Sequence, residues 1–340
     1  MRLQLSALLM LAACGHSAPP TGPSGGEEGA FLPGNPVRLT YSDGQDRTPQ
    51  WGRAPNDVLY AFDDIRSSGA TRLGCVGALP VAGGTRTFQS CPVDPKAGAS
   101  TLSWPTERTD GALAFHRSWV TGYVSHAELA RLPAGEGAKM ETLLPVPFFE
   151  PNAGKSMQGV ANLQWLGTDS LIFIGLGIIH SLNDNVESGL EIVLLDPVDG
   201  TAGVTGLPGT TWASSLALGA TPDTVYFTLG GDSMVYRRVR STWVTDTVVN
   251  FGSLGIARGV QVRAGRLVAL VGGDVTWVPH ASLVMAQYDN GGLIYYVDLP
   301  SGLPTLASQP WDRYFTPALA PDGSAVVAAQ YGDLWQITLP

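Results

Sequence analysis

Near the start of the chain the phrase Arg38-Leu39-Thr40-Tyr41-Ser42-Asp43-Gly44 leads into Pro49-Gln50-Trp51, and near the end stands a partner phrase, Pro317-Ala318-Leu319-Ala320-Pro321-Asp322-Gly323. Between them a weaker echo returns about every 50 residues, a period that belongs to propellers and solenoids. Its unit is an alternating strand, a glycine-bearing turn and a second strand. Six such strands are expected, at 74–79, 127–132, 190–195, 234–239, 293–299 and 334–339. Upstream of each lies another apolar strand behind a turn, as Val58–Phe62 lies behind Pro55-Asn56-Asp57 and Ala325–Ala329 behind Pro321-Asp322-Gly323. Proline presets φ, aspartate bonds to nearby backbone and glycine accepts positive φ, so these triplets close tight hairpins. Each unit therefore holds three or four antiparallel strands. The uneven spacing between units predicts loop insertions rather than extra strands.

Composition agrees. With 42 glycines, 25 prolines and only 14% charged residues, the chain has the punctuation of many short strands. Its 340 residues make one large repeat unit rather than several ordinary domains.

Pro49-Gln50-Trp51-Gly52-Arg53-Ala54-Pro55-Asn56-Asp57 and Pro317–Gly323 resemble the Pro-x-Trp-Ser-Pro-Asp-Gly blade motif of TolB-like β-propellers. The first copy has Gly52 in the serine position and Arg53-Ala54 ahead of Pro55, and the second lacks the tryptophan. The middle blades keep fragments such as Trp165-Leu166-Gly167-Thr168-Asp169. The resemblance spans residues 36–340 and implies an all-β, six-bladed propeller. The last blade stops after its third strand, while Pro36-Val37-Arg38-Leu39-Thr40 has the pattern of a closing fourth strand. These ends are expected to pair, which leaves no open sheet edge.

Residues 1–13 carry Arg2 and a short apolar run, the form of a secretory signal too short to span a membrane. Leu11-Ala12-Ala13-Cys14 resembles the bacterial lipoprotein signal, which implies that Cys14 becomes the lipid-bearing first residue. Residues 14–35 are rich in glycine, proline and serine and form a flexible tether before the propeller. The implied address is the bacterial cell envelope, at an outer membrane facing the periplasm or the cell surface. In that oxidising compartment Cys75 and Cys91 are expected to form a disulfide. Direct pairing centres their hairpin on Gly83 and requires a turn with an odd number of residues; a two-residue Gly83-Gly84 turn would set Cys75 opposite Pro92.

A formal net charge of −9 argues against nucleic acid and against adsorption on anionic lipid. Gly22-Pro23-Ser24-Gly25-Gly26 fits a hydrolase pattern but sits in the tether, without the strand and helix that strain a nucleophile elbow. Ala153-Gly154-Lys155-Ser156 has Phe149 where a phosphate loop needs its first glycine. His16, His116, His126, His180 and His280 lack metal-pair spacing, and Asn183–Glu187 lacks the length and central glycine of a calcium loop. Asp43, Asp46, Asp63 and Asp64 read as turn caps, and Trp51, Trp104, Trp165, Trp212 and Trp335 as packing between blades. Arg238 and Arg240 share a strand face, suited to an anion or to solvent.

No catalytic, cofactor-binding or metal residues are therefore assigned, and no cofactor is expected. The expected function is a monomeric, envelope-anchored lipoprotein that binds or scaffolds an envelope protein or peptide. Its specificity is expected in the long connections at 119–125, 175–189 and 272–292. The alternative is a hydrolase or lyase with its site at the mouth of the propeller channel.

Overall fold

The turn triplets close hairpins where the sequence places them, and the strands between them assemble into six blades. The computed structural model describes residues 36–340 except 42–43, 66–71, 92–99, 122–123, 136–137, 147, 151–154, 158, 169, 183–184, 197–202, 273–274, 280–284, 290 and 301. Cys14, the signal segment and the tether lie outside the described residues.

The chain opens with β1 (Val37–Arg38), which belongs to the last blade. Blade one is β2 (Asp46–Trp51), β3 (Asp57–Ile65), β4 (Arg72–Pro80) and β5 (Phe88–Ser90). Blade two is β6 (Ser100–Glu107), β7 (Leu113–Thr121), β8 (Val124–Leu132) and β9 (Glu141–Val146). Two short strands follow, β10 (Phe148–Glu150) and β11 (Lys155–Met157). Blade three is β12 (Gly159–Leu166), β13 (Ser170–Leu182), β14 (Asn185–Asp196) and β15 (Gly203–Gly206), and blade four is β16 (Ala213–Leu218), β17 (Thr224–Leu229), β18 (Met234–Val239) and β19 (Thr245–Asn250). Blade five comprises β20 (Ala257–Arg263), β21 (Arg266–Val271), β24 (Leu293–Asp298) and β25 (Thr305–Leu306), with the hairpin β22 (Val275–Pro279) and β23 (Met285–Asp289) inserted as its own two-stranded sheet. Blade six is β26 (Phe315–Leu319), β27 (Ala325–Gln330) and β28 (Asp333–Thr338), completed by β1.

Closure follows the sequence expectation. Val37 pairs with Gln336 and Arg38 with Trp335. Beyond the strand, Leu39 N donates to the Leu334 carbonyl and Leu334 N to Thr40 Oγ1, both at 2.8 Å, while Arg38 pairs with Asp333 at 2.5 Å. Leu39 is buried among Val58, Tyr60, Val327 and Leu334, so the latch is glued by apolar packing as well as by its ladder. The remaining cores repeat this plan, each filling the gap between neighbouring blades: Ala114 with Phe173 and Val193, or Val225 with Ile174 and Leu190.

Antiparallel order fixes two ends of the ring. Connections from first to second and from third to fourth strand lie at one end, and those from second to third strand and from blade to blade lie at the other. The Pro-Asp-Gly turns fall at the first, here called the turn end. All three long connections fall at the second, the crown. Their described residues form strands, not the loops anticipated. The 119–125 connection extends β7 and β8 to the pair Thr121–Val124, and the 175–189 connection extends β13 and β14 to Leu182–Asn185. The 272–292 connection forms β22 and β23. Between blades two and three, β10 pairs with β11, and β11 with the extension of β13, also at the crown.

Cys75 and Cys91 are disulfide-bonded, with Cα atoms 4.2 Å apart. The register Val76–Ser90, Gly77–Gln89, Ala78–Phe88 sets the two cysteines opposite each other across a turn of odd length, as direct pairing requires.

Candidate functional site

The first strand of every blade lies innermost and bends around the ring axis. Each does so through an irregularity in its pairing with the second strand: at 47/50, 103/106, 161/164, 213/215, 258/261 and 315/318. An extra residue at such a bulge increases local bend and twist, which a tightly curved inner strand needs. In five blades the bulge holds a residue in the left-handed region: Thr48 (φ 46°), Trp104 (55°), Asn162 (51°), Gly259 (57°) and Thr316 (45°). Only Gly259 accepts this freely, and a Cβ there would come within 2.9 Å of Pro317 Cδ. Branched threonines and a tryptophan in this region carry strain of roughly 1–3 kcal/mol each, which neighbouring structure must hold in place.

The bulges hold one another. Trp104 N donates to Thr48 Oγ1 (2.9 Å) across blades two and one, and Val260 N to Ser215 Oγ (3.2 Å) across blades five and four. Gln164 Nε2 donates to the Leu216 carbonyl (3.1 Å), while Leu218 N donates back to Gln164 Oε1 (3.3 Å).

Where the bulges meet, a cavity of about 210 Å³ opens at the axis, lined by residues of blades two to six. Its polar side chains are Asn162, Ser214, Ser215, Arg258, Gln261 and Thr316, and Trp104 supplies an aromatic wall. Arg258 is 3% exposed and donates through Nη2 to the Gly291 carbonyl. Ser214 and Ser215 share hydrogen bonds with the buried Thr228 hydroxyl at 2.9 and 2.6 Å. Thr316 Oγ1 is buried and has no hydrogen-bond partner among the described residues. Most lining positions come from the opening halves of the first strands, so the cavity lies toward the crown.

A second, open groove of about 610 Å³ runs beside the latch, lined by Tyr41, Tyr60, Arg86 and Phe88. Arg86 Nε donates to the Tyr60 hydroxyl and its guanidinium lies 3.8 Å from the Phe62 ring centroid. Burial pushes the Tyr60 phenol up, against the lowering pull of Arg86.

The residues weighed in sequence scatter. His116 lies deep in blade two, its Nδ1 3.2 Å from Ser103 Oγ, and burial depresses its pKa to about 4. His126 stacks on Trp119 with ring centroids 5.3 Å apart. His180 is on β13, and His16 and His280 lie outside the described residues. Among the described residues no group of three His, Cys, Asp or Glu side chains is placed to hold a metal ion.

Two aspartates depart from the turn-cap reading: Asp46 opens β2 and is buried, and Asp63 lies within β3 paired with Arg47. They sit on strands because each belongs to the blade-one ladder; Asp43 and the Asp64 side chain lie outside the described residues. True caps occur at Asp110 and Asp322. Hydrogen bonds from Arg108 and the Ala112 amide hold the Asp110 carboxyl down at about 2, and the backbone and side chain of Ser324 lower that of Asp322.

Of the tryptophans, Trp51 and Trp165 join neighbouring blades, Trp335 packs against the core between blades five and six, and Trp104 packs against the core between blades two and three while also lining the axial cavity. Trp212 is 44% exposed, at a left-handed residue before β16 rather than in an inter-blade core. Arg237 and Arg238 lie on β18 and Arg240 in the turn after it, so Arg238 and Arg240 do not share a strand face; Arg237 pairs with Asp246, Arg238 donates to the Pro208 carbonyl and Arg240 to the Pro222 carbonyl. Lys155 and Ser156 belong to β11, residues 185–187 open β14, and the tether motif at Gly22–Gly26 lies outside the described residues. The ring of bulges was missed, because their residues share a position and not a residue type.

No family model matches the chain, and no curated protein matches it. Solved structures do. TolB from Acinetobacter baumannii aligns at 11% identity and TM-score 0.54 over 83% of this chain, which spans 63% of that protein's length. XC5397 from Xanthomonas campestris, described as a gluconolactonase, aligns at 14% identity and TM-score 0.54 over 91% of this chain and 97% of its own. A luciferin-regenerating enzyme aligns at 13% identity and TM-score 0.53, covering 89% and 95%. At these identities the likeness is one of fold: a six-bladed propeller with TolB among its structural neighbours.

Proposed function

We propose that this chain is a lipoprotein of the bacterial envelope, anchored through Cys14, whose propeller binds a protein or peptide at its crown. The observation that carries the reading is the one-sided growth of the ring: the three long insertions and the β10–β11 pair rise from the crown, while no connection at the turn end exceeds eight residues. A ring bearing its longest insertions at one end is the form of a recognition platform. TolB-like architecture and the oxidised Cys75–Cys91 pair support an envelope setting.

The test is affinity capture of the lipidated protein from its own membranes, with a second form in which a short turn replaces residues 273–291. A protein recovered reproducibly with the full chain and lost with the shortened one is the expected outcome. Recovery of none, or recovery unchanged by the deletion, overturns the crown reading. Anchoring is checked separately: Cys14→Ser should move the protein from the membrane to the soluble fraction.

A hydrolase or lyase is the second reading, favoured by the cavity on the ring axis and by enzymes among the structural neighbours. Turnover of a lactone panel by the purified protein, abolished by substitution of cavity residues, would move the assignment to it.

A further inference from the structure

The crown reading leaves the axial cavity without a role. We infer that it is a binding site for a small, polyhydroxylated ligand of monosaccharide size. Five blades contribute to it, so the site exists only in the closed ring.

Its volume of about 210 Å³ falls below the ~300–1,000 Å³ usual for drug-sized ligands, which limits the occupant to about the size of a six-carbon sugar or alditol. The lining chemistry sets the class. Asn162 and Gln261 each offer a donor and an acceptor on one planar amide, and Ser214 and Thr316 offer hydroxyls that can do either. Such groups match hydroxyls, which also donate and accept. Trp104 gives an apolar face for C–H groups, and Ile174, Leu190 and Leu270 close the apolar side. Among the described lining residues there is no carboxylate to bind a cation, and the charged group is Arg258, a buried guanidinium with one nitrogen on the Gly291 carbonyl.

A second observation is the backbone. Trp104, Asn162 and Thr316 line the cavity while held in the left-handed region, and strain of this kind gathers where side chains are being aimed. At the bulges Asn162 and Thr316 line the axial cavity, and Trp104 both lines it and packs against the core between blades two and three.

The experiment is saturation-transfer NMR on the full propeller with glucose, galactose, mannitol and, as an anionic member, gluconate, each at about 10 mM, enough to saturate a site with a Kd near 1 mM. At least one of the four should give a signal. Gln261→Leu and Thr316→Val should each weaken it by about tenfold, in line with loss of one hydrogen bond to a buried group. Ser214→Ala, at a partly exposed position, gives a third variant should either of the others fail to fold. Silence from all four probes, or affinity unchanged in the folded variants, overturns the proposal. None of these outcomes depends on a protein partner at the crown, so the two readings fail separately.

Discussion

Trp51 Nε1 donates to the carbonyl of Ala318 at 3.1 Å, so the first copy of the repeated phrase is hydrogen-bonded to the last. The same contact joins blades three and two, where Trp165 Nε1 donates to the Thr106 carbonyl at 3.3 Å. In each case the tryptophan stands three residues past the bulge, and its acceptor two past the bulge of the preceding blade. Trp51→Phe keeps the ring packing and removes the donor. It should lower unfolding free energy in urea by about 1 kcal/mol, and Trp165→Phe, at the more buried site, by at least as much. Equal stability of both variants and the parent would mean the bond contributes nothing net.

The latch carries a larger share. Leu39→Ala empties a buried position between blades one and six and should cost roughly 2–5 kcal/mol. Deleting residues 36–41 should lower the melting temperature further, and an unchanged Tm would remove the latch from the account of stability.

Thiol labelling checks the cysteine pair. The propeller with residues 1–14 removed should take up no label without reductant and two labels with it. Cys75→Ala/Cys91→Ala should lose about 3 kcal/mol, the loop-closure estimate for a bridge across 16 residues.

His116 supplies the pH dependence. Its folded pKa of about 4 lies below the ordinary value of 6.5, so the fold holds it neutral and the unfolded chain takes up the proton first. Its stabilising share is complete above 6.5 and falls as pH drops toward 4, by about 2 kcal/mol between pH 7 and pH 5. Urea midpoints at the two pH values measure this, and His116→Leu should flatten that part of the profile.

The turns, the second and third strands, the latch and the cysteine register were legible in sequence because each depends on residue type. Proline, aspartate and glycine declare a hairpin, and direct pairing of Cys75 with Cys91 demands an odd turn. The crown was legible only as excess length: Gly175–Gly189 carries no period that separates a loop from two strands prolonged past their blade. The axial cavity was hidden more deeply. Thr48, Trp104, Asn162 and Thr316 occupy one conformation with four side chains of different chemistry, imposed by the curvature of the ring rather than by their own preference. Tertiary context overrode local propensity at the positions that surround the axis.

The latch also has a mechanical meaning. β1 enters blade six from the turn end, so any pull on the chain before Pro36 reaches the ring through Val37 and Arg38 and runs along the strand, loading its bonds to Gln336 and Trp335 in shear. Such a load would bear directly on the seam that keeps the six blades a closed circle.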